Sequence, residues 1–162
     1  MSGSIVAPLA DRALVRVAGG EAEKFLEGLV TCEGEGMAPG SGAYGALLTP
    51  QGKILFDFFV IATGDGFLID IVAALRDDFM RKLAFYRLRA KVEIGPRDDL
   101  AVYAVWGEAP ATPADGFAIA DPRLADMGWR GYSAAAPAGA PGSYEARRIG
   151  LGVPEGGRDY VH

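Results

Sequence analysis

Cysteine and histidine are almost missing from this sequence, and their scarcity excludes several kinds of chemistry. The chain has a single cysteine, Cys32, and a single histidine, His162. One cysteine cannot form a disulfide within the chain, nor can it assemble a cysteine-ligated metal centre. Because the lone histidine is the last residue, a Ser-His-Asp or Cys-His nucleophilic site is also disfavoured. The sequence therefore predicts neither a metal site nor a catalytic residue.

Long apolar runs and an excess of positive charge are missing as well. No run approaches the roughly 20 apolar residues that a membrane-spanning helix needs. The opening MSGSIVAPLADRALV lacks the basic start and apolar centre of a signal peptide. The net charge of −5 disfavours a dedicated DNA-binding protein, which is usually basic. We therefore expect a cytoplasmic protein with neither a membrane nor DNA as its partner.

What the chain does have is enough hydrophobic residues to build a core. Of its 162 residues, 50% are hydrophobic, which fits one ordinary globular domain or slightly more. Residue periodicity predicts strands over 12–18, 46–48, 54–62, 67–72, 86–94, 100–106, 117–120 and 129–134, and helices over 21–30, 77–85 and 143–148. Since tight turns join several of these strands, we predict an α+β fold of mainly antiparallel sheets with flanking helices.

A break in the pattern suggests a boundary between two lobes. The stretch Gly95-Pro96-Arg97-Asp98-Asp99 combines residues that end strands and helices. We predict an N-terminal lobe over residues 1–95 and the start of a second lobe over residues 96–162.

A lone carboxylate inside an apolar strand is the first unusual feature. Asp57 lies within the apolar run from Ile54 to Ala62, and a desolvated carboxylate costs several kcal/mol unless it is hydrogen-bonded or paired. One interpretation is that Asp57 binds the nitrogens of a heterocycle or steers a proton. The other is that it pairs with a nearby arginine or lies at a kink near the sheet edge.

An unopposed row of basic residues is the second unusual feature. Five basic residues occur from Arg81 to Lys91, with no acid among them. In the predicted strand over 86–94, Arg87, Arg89 and Lys91 share one face. Such a row suits carboxylates, phosphates or an RNA backbone, and arginine favours planar anions. The alternative is a solvated face that the acidic first half of the chain neutralises.

Four sequence blocks, in this order, carry a resemblance to a known family. FLEGLVT, LLTPQGKILFDFFVI, YRLRAKVEI and ARRIGLGVPEGGRDY resemble the YgfZ family of folate-binding proteins. That family is related to the T-protein, the aminomethyltransferase of the glycine cleavage system. The resemblance implies the folate-binding aminomethyltransferase fold, incomplete in this chain, because the family motif KGCYxGQE is missing and would lie beyond His162.

The resemblance also implies a ligand and partners. The ligand would be tetrahydrofolate or a derivative, with its heterocycle at Asp57 and its anionic tail at the basic row. The partners would be iron–sulfur client proteins and the remaining C-terminal half of the same protein, as a continuation or a separate chain. We predict that six residues contact folate: Tyr44, Asp57, Arg87, Arg89, Lys91 and Arg148.

Departures from the T-protein pattern bear on activity. The T-protein has two adjacent aspartates in the segment that GKILFDFFV resembles, and Phe56 stands here at the first of these positions. Gly150 stands where the T-protein supplies a pterin-binding glutamate. We therefore predict an accessory protein, not a classical enzyme, that supports iron–sulfur cluster assembly or repair in client enzymes, including tRNA-modifying ones. Two alternatives stay open: a folate-dependent aminomethyl or methyl transferase with Asp57 as its key acid, and a non-enzymatic module that contacts RNA or a partner protein.

Overall fold

The computed structural model describes residues 5–31, 40–107, 116–123, 127–134, 141–151 and 153. Cys32 and His162 lie outside these ranges. The strands are β1 (Ile5–Pro8), β2 (Arg12–Ala18), β3 (Val30–Thr31), β4 (Gly42–Leu48), β5 (Ile54–Thr63), β6 (Gly66–Val72), β7 (Glu93–Arg97), β8 (Ala101–Trp106), β9 (Gly116–Ala120) and β10 (Trp129–Ser133). The helices are α1 (Ala22–Leu29), α2 (Arg76–Arg87) and α3 (Pro141–Gly150), and a 3₁₀ turn (Ala73–Leu75) precedes α2.

The strands form two sheets. One has six strands in the order β3-β4-β5-β6-β2-β7, and the other has four in the order β1-β8-β10-β9. Each described pairing is antiparallel. The predicted α+β fold of antiparallel sheets with flanking helices is therefore confirmed.

A tight turn joins β4 to β5, as the sequence predicts. The N–H of Gly52 donates to the carbonyl of Thr49 at 2.9 Å, and the N–H of Lys53 donates to the Thr49 hydroxyl at 3.1 Å. Gly52 adopts a φ of +87°, which glycine accepts without a steric penalty. The strand β4 begins earlier than predicted, at Gly42, where the sheets come so close that a Cβ would lie 2.6 Å from Ile119 of β9.

The alternation of side chains along β5 builds two cores. Phe59 and Ile61 belong to a buried cluster between the two sheets. Phe58 and Val60 point to the opposite face and join a second cluster, which includes Phe79 of α2. The six-stranded sheet is thus covered by helices on one face and by the four-stranded sheet on the other. This double burial explains why β5 is apolar at nearly every position.

The predicted strand over residues 86–94 is wrong. The helix α2 continues to Arg87, and regular pairing starts only at Glu93, in β7. Leu88, which the predicted strand would place on the face opposite the basic row, is 86% exposed. The helix α2 extends this far because Phe79 and Leu83, one turn apart, are both buried and the residues around them favour a helix. The alternation over residues 86–94 therefore belongs to a helix end and a connecting segment.

The predicted lobe boundary crosses strand pairings. Position 95 falls inside β7, which pairs with β2, and β1 from the start of the chain pairs with β8. The division into residues 1–95 and 96–162 stays a prediction.

Candidate functional site

Tyr44 and Asp57 meet on the face of the six-stranded sheet that is turned towards the four-stranded sheet. Tyr44 pairs with Phe59, and Asp57 pairs with Ala46, so the two polar residues are diagonal neighbours on adjacent strands. The Tyr44 hydroxyl donates a hydrogen bond to the Asp57 carboxylate. Asp57 is only 6% exposed, and this bond offsets part of its desolvation cost. Asp57 pairs with Ala46 of β4, whereas the pairing of β5 with β6 begins only at Phe59, so the interpretation of Asp57 as a residue near a sheet edge stays open.

A guanidinium covers the aromatic rings beside this pair. Arg123 follows β9, and its Nε and Nη2 donate to the Asp121 carboxylate at 3.1 and 2.8 Å. Its guanidinium carbon lies 4.7 Å from the ring centroid of Phe59 and 5.7 Å from that of Tyr44, within cation–π range. Burial would lower the pKa of Arg123, but the hydrogen bond and charge of Asp121, together with the influence of Tyr144, outweigh it and raise that pKa. A charged guanidinium thus lies beside the tyrosine that binds the Asp57 carboxylate.

A buried charge network joins the two sheets next to this cluster. Arg12 Nε donates to Asp70 Oδ1 at 2.7 Å. Arg130 donates to Asp70 Oδ2 through Nε at 3.0 Å and Nη2 at 2.7 Å, and the Tyr132 hydroxyl donates to the same oxygen at 2.8 Å. Arg12 and Asp70 belong to the six-stranded sheet, whereas Arg130 and Tyr132 belong to the four-stranded sheet. The network therefore fixes one sheet against the other.

Tyr144 of α3 and the ring of Phe59 connect this network to Arg123. The Tyr144 hydroxyl accepts hydrogen bonds from Arg123 Nη2 at 2.9 Å and, more weakly, from Arg130 Nη1 at 3.4 Å. The guanidinium carbon of Arg130 lies 4.0 Å from the centroid of the Phe59 ring, which Arg123 also covers. The position of Arg123 is therefore tied to the contact between the sheets.

The electrostatics of the network keep each group in one protonation state. Burial is the largest influence on Asp70 and would raise its pKa, but the charges and hydrogen bonds of Arg12 and Arg130 outweigh it and lower that pKa to about 2. The Asp70 charge likewise raises the pKa of Arg130 against its burial. Burial raises the pKa of Tyr132 well above its usual value, and the Asp70 charge adds to this. At neutral pH these are a carboxylate, a guanidinium and a phenol.

The predicted anion-binding row lies in a different part of the fold. Arg87 ends α2, while Arg89 and Lys91 are exposed in the segment that leads to β7. With Arg16 they line an open groove of about 670 Å³. Three strand spacings separate β7 from the strand that carries Asp57, which corresponds to about 14 Å. The structure therefore does not place this row beside Asp57.

Arg148 occupies a third location. It is 1% exposed in α3, and its Nη1 donates to the carbonyl of Val153 at 2.9 Å. Val153 belongs to the core between the sheets. Arg148 therefore holds the residues after α3 against that core, and its predicted contact with folate stays a prediction.

Sequence reasoning missed the buried network, although one signal for it was present. Asp70 interrupts the apolar strand FLIDIV in the same way that Asp57 interrupts its own. Its partners Arg12 and Arg130 are 58 and 60 residues away. No short-range periodicity indicates such pairs.

The described residues contain neither a cluster of potential metal ligands nor a membrane-spanning helix. No group of three or more His, Cys, Asp or Glu side chains that could hold a metal ion occurs among the residues that the structure describes. Over the same ranges, each helix is too short or too polar to cross a membrane.

Comparisons with known proteins place the chain near iron–sulfur cluster assembly factors. No family model matches it. It is 34% identical over 179 residues to the human mitochondrial iron-sulfur cluster assembly factor IBA57, covering 91% of this chain and 50% of that protein. The homologue from Pyricularia oryzae is 33% identical, with coverages of 91% and 43%, and the mouse protein is 32% identical, with 90% and 49%. The chain thus spans about half the length of the curated relatives that it matches.

The solved structure of glycine cleavage system aminomethyltransferase T from Bartonella henselae has a similar fold. The TM-score is 0.68 at 15% sequence identity, and the match covers 93% of this chain and 45% of that protein. At this identity the likeness concerns the fold alone. It confirms the expected aminomethyltransferase-like fold, present here in part.

The predicted cytoplasmic location is contradicted by these comparisons. The human, Pyricularia oryzae and mouse relatives are all named as mitochondrial proteins. The prediction failed because a single cysteine and short apolar runs do not distinguish the cytoplasm from the interior of an organelle.

Proposed function

We propose that this chain is part of a tetrahydrofolate-binding accessory protein that supports the assembly or repair of iron–sulfur clusters in client enzymes, tRNA-modifying ones among them. The observation that carries the assembly role is its similarity to human IBA57, at 34% identity over 91% of this chain. The cluster of Tyr44, Asp57 and Arg123 supports the folate ligand.

The chemistry of this cluster fits a pterin ring. A pterin presents N–H donors along one edge and a flat aromatic face, and the Asp57 carboxylate accepts hydrogen bonds. The rings of Tyr44 and Phe59 lie edge to face, with their centroids 5.0 Å apart, and Arg123 supplies a planar cation beside them. A few polar groups among aromatic side chains are typical of small-molecule sites.

The residue before Asp57 supports binding over transferase chemistry. Phe56 points to the helical face of the sheet, where its ring centroid lies 5.5 Å from that of Phe79. A bound tetrahydrofolate would supply nitrogens that carry one-carbon units. The described residues would bind and orient it through the Asp57 carboxylate and the Tyr44 hydroxyl.

Calorimetric titration of the full-length protein with 5-formyltetrahydrofolate tests the ligand. We expect saturable binding by the wild type and a loss of affinity of about 10- to 100-fold in Asp57→Asn, because a hydrogen bond to a charged acceptor contributes about 1.5–3 kcal/mol. Asp77→Asn is the matched control, since it makes the same change at an exposed position of α2. The ligand assignment is refuted if the wild type does not bind, or if both variants bind equally well.

Complementation tests the cellular role. The readout in cells that lack the gene is the activity of a [4Fe–4S] enzyme, divided by the activity of an enzyme that contains no iron. The wild type and Asp77→Asn should restore this ratio, and Asp57→Asn should not. Restoration by an Asp57→Asn protein that no longer binds folate would show that the role does not depend on this ligand.

A further inference from the structure

The end of α2 carries positive charge that the neighbouring acids do not neutralise. Within residues 5–31 and 40–107, Arg87 and Arg89 are the two arginines without an ion pair to a described carboxylate. The other arginines of these ranges each have one: Arg12, Arg16, Arg76, Arg81 and Arg97.

The acids of the adjoining groove are already engaged. Asp65 and Glu93 line it together with Arg87 and Arg89. Both bind Arg16, at 2.8 and 3.1 Å. Glu21, which does not line the groove, accepts a hydrogen bond from the backbone N–H of Lys91. The surface therefore offers at least two guanidinium groups to an incoming anion.

Two large apolar side chains stand beside these cations. Phe85 is 72% exposed and Leu88 is 86% exposed, the highest values for large hydrophobic residues in the described part of the chain. They are three residues apart, which places them close together at the end of α2. Apolar side chains grouped at a charged surface mark interaction sites more often than isolated ones do.

The backbone at Leu88 has a strained conformation, and the Leu88 side chain is exposed to solvent. Leu88 has a φ of +49°, and among the described residues it is the single non-glycine residue with a positive φ. Glycine is the usual residue after a helix end, because it adopts such a φ without a steric penalty. A leucine here lowers stability and gains no burial in return. Such strain is typical of positions that serve a function.

We propose that Phe85, Arg87, Leu88 and Arg89 form a docking surface for an acidic partner protein. Apolar side chains of the partner pack against Leu88 and Phe85, and its carboxylates bind the two guanidinium groups. An apolar anchor with arginines around it is typical of protein interfaces. The net charge of −5 disfavours a nucleic acid as the partner. The surface lies at the end of α2, which packs on one face of the six-stranded sheet, whereas Tyr44 packs on the other, so the proposal does not depend on the cluster of Tyr44, Asp57 and Arg123.

Fluorescence anisotropy with the full-length protein tests the partner chemistry. The probes are three labelled 15-residue chains: a peptide of aspartate and glutamate with leucine and phenylalanine interspersed, polyglutamate, and oligouridine. We expect saturable, salt-sensitive binding of the first peptide, with polyglutamate at least about tenfold weaker because it has no apolar side chains to pack against Leu88. The proposal is overturned if the first peptide does not bind, or if oligouridine binds more tightly.

Matched variants test the location. Arg87→Glu with Arg89→Glu should weaken peptide binding at least about tenfold. Lys24→Glu with Lys53→Glu changes the net charge equally at exposed positions elsewhere and should leave binding within about twofold of that of the wild type. Equal losses in the two double variants would overturn the proposal, since binding would then follow net charge alone.

Leu88→Gly separates docking from folding. Glycine relieves the positive φ, so the thermal midpoint should rise, while loss of the anchor should weaken peptide binding about tenfold. A variant that is more stable and binds the peptide as tightly as the wild type would show that Leu88 is not an anchor.

Discussion

Replacement of Asp70 by asparagine should destabilise the fold more than any exposed charge change. The substitution would keep the size of the side chain but remove the charge that both Arg12 and Arg130 face. The side chains of these arginines are 3% and 0% exposed, so water cannot solvate the positive charges that would lose their partner. Breaking a buried pair by removing one partner costs about 3–5 kcal/mol. A domain of this size has only about 5–15 kcal/mol in total.

Urea unfolding, followed by far-ultraviolet circular dichroism, measures this loss. At about 2–4 °C per kcal/mol, the thermal midpoint of Asp70→Asn should fall by about 6–20 °C. Asp65→Asn is the control, because its ion pair with Arg16 lies at the surface and should contribute little.

A triple variant tests the physical cause. Replacing Arg12 and Arg130 by methionine together with Asp70→Leu removes the three buried charges at once. This variant should be more stable than Asp70→Asn, because no buried charge is left uncompensated. A loss below about 1 kcal/mol in Asp70→Asn, or a triple variant less stable than it, would refute the reasoning.

Three further predictions follow from the core and the network. Because the pKa of Asp70 is about 2 in the fold against an ordinary 3.8, the unfolded chain takes up a proton first, so about 2 kcal/mol of stability is lost as the pH falls from about 4 to 2; unfolding free energies of the wild type and Asp70→Asn should converge over that range. Gly131→Ala should cost about 1–3 kcal/mol by urea unfolding, because its Cβ would lie 2.1 Å from the Tyr103 ring. Phe79→Ala should cost about 3–5 kcal/mol in the same assay, because the ring is fully buried.

Local features of this fold were predictable from the sequence. The β4–β5 hairpin follows from Pro50 and Gly52, which suit the second and fourth positions of a type I turn, and the interior position of β5 follows from its apolar run. Both depend on residues close together in the chain. The same reasoning singled out Asp57, because one charged residue in such a run is unusual.

Features that depend on distant contacts were not predictable in the same way. The segment over 86–94 alternates like a strand, but the packing of Phe79 and Leu83 extends the helix through its first residues. The contact of Arg130 with Asp70 joins two sheets, and nothing local to either residue indicates it. The sequence therefore pointed to Asp57 and Tyr44 but not to Arg123, whose position depends on how the sheets pack.

The crystal structure of the full-length protein with 5-formyltetrahydrofolate tests the central claim most directly. The account predicts that the pterin edge lies within hydrogen-bond distance of the Asp57 carboxylate, beside Tyr44 and Arg123. A pterin bound elsewhere, with the hydrogen bond of Tyr44 to Asp57 unchanged and no contact to either residue, would contradict it.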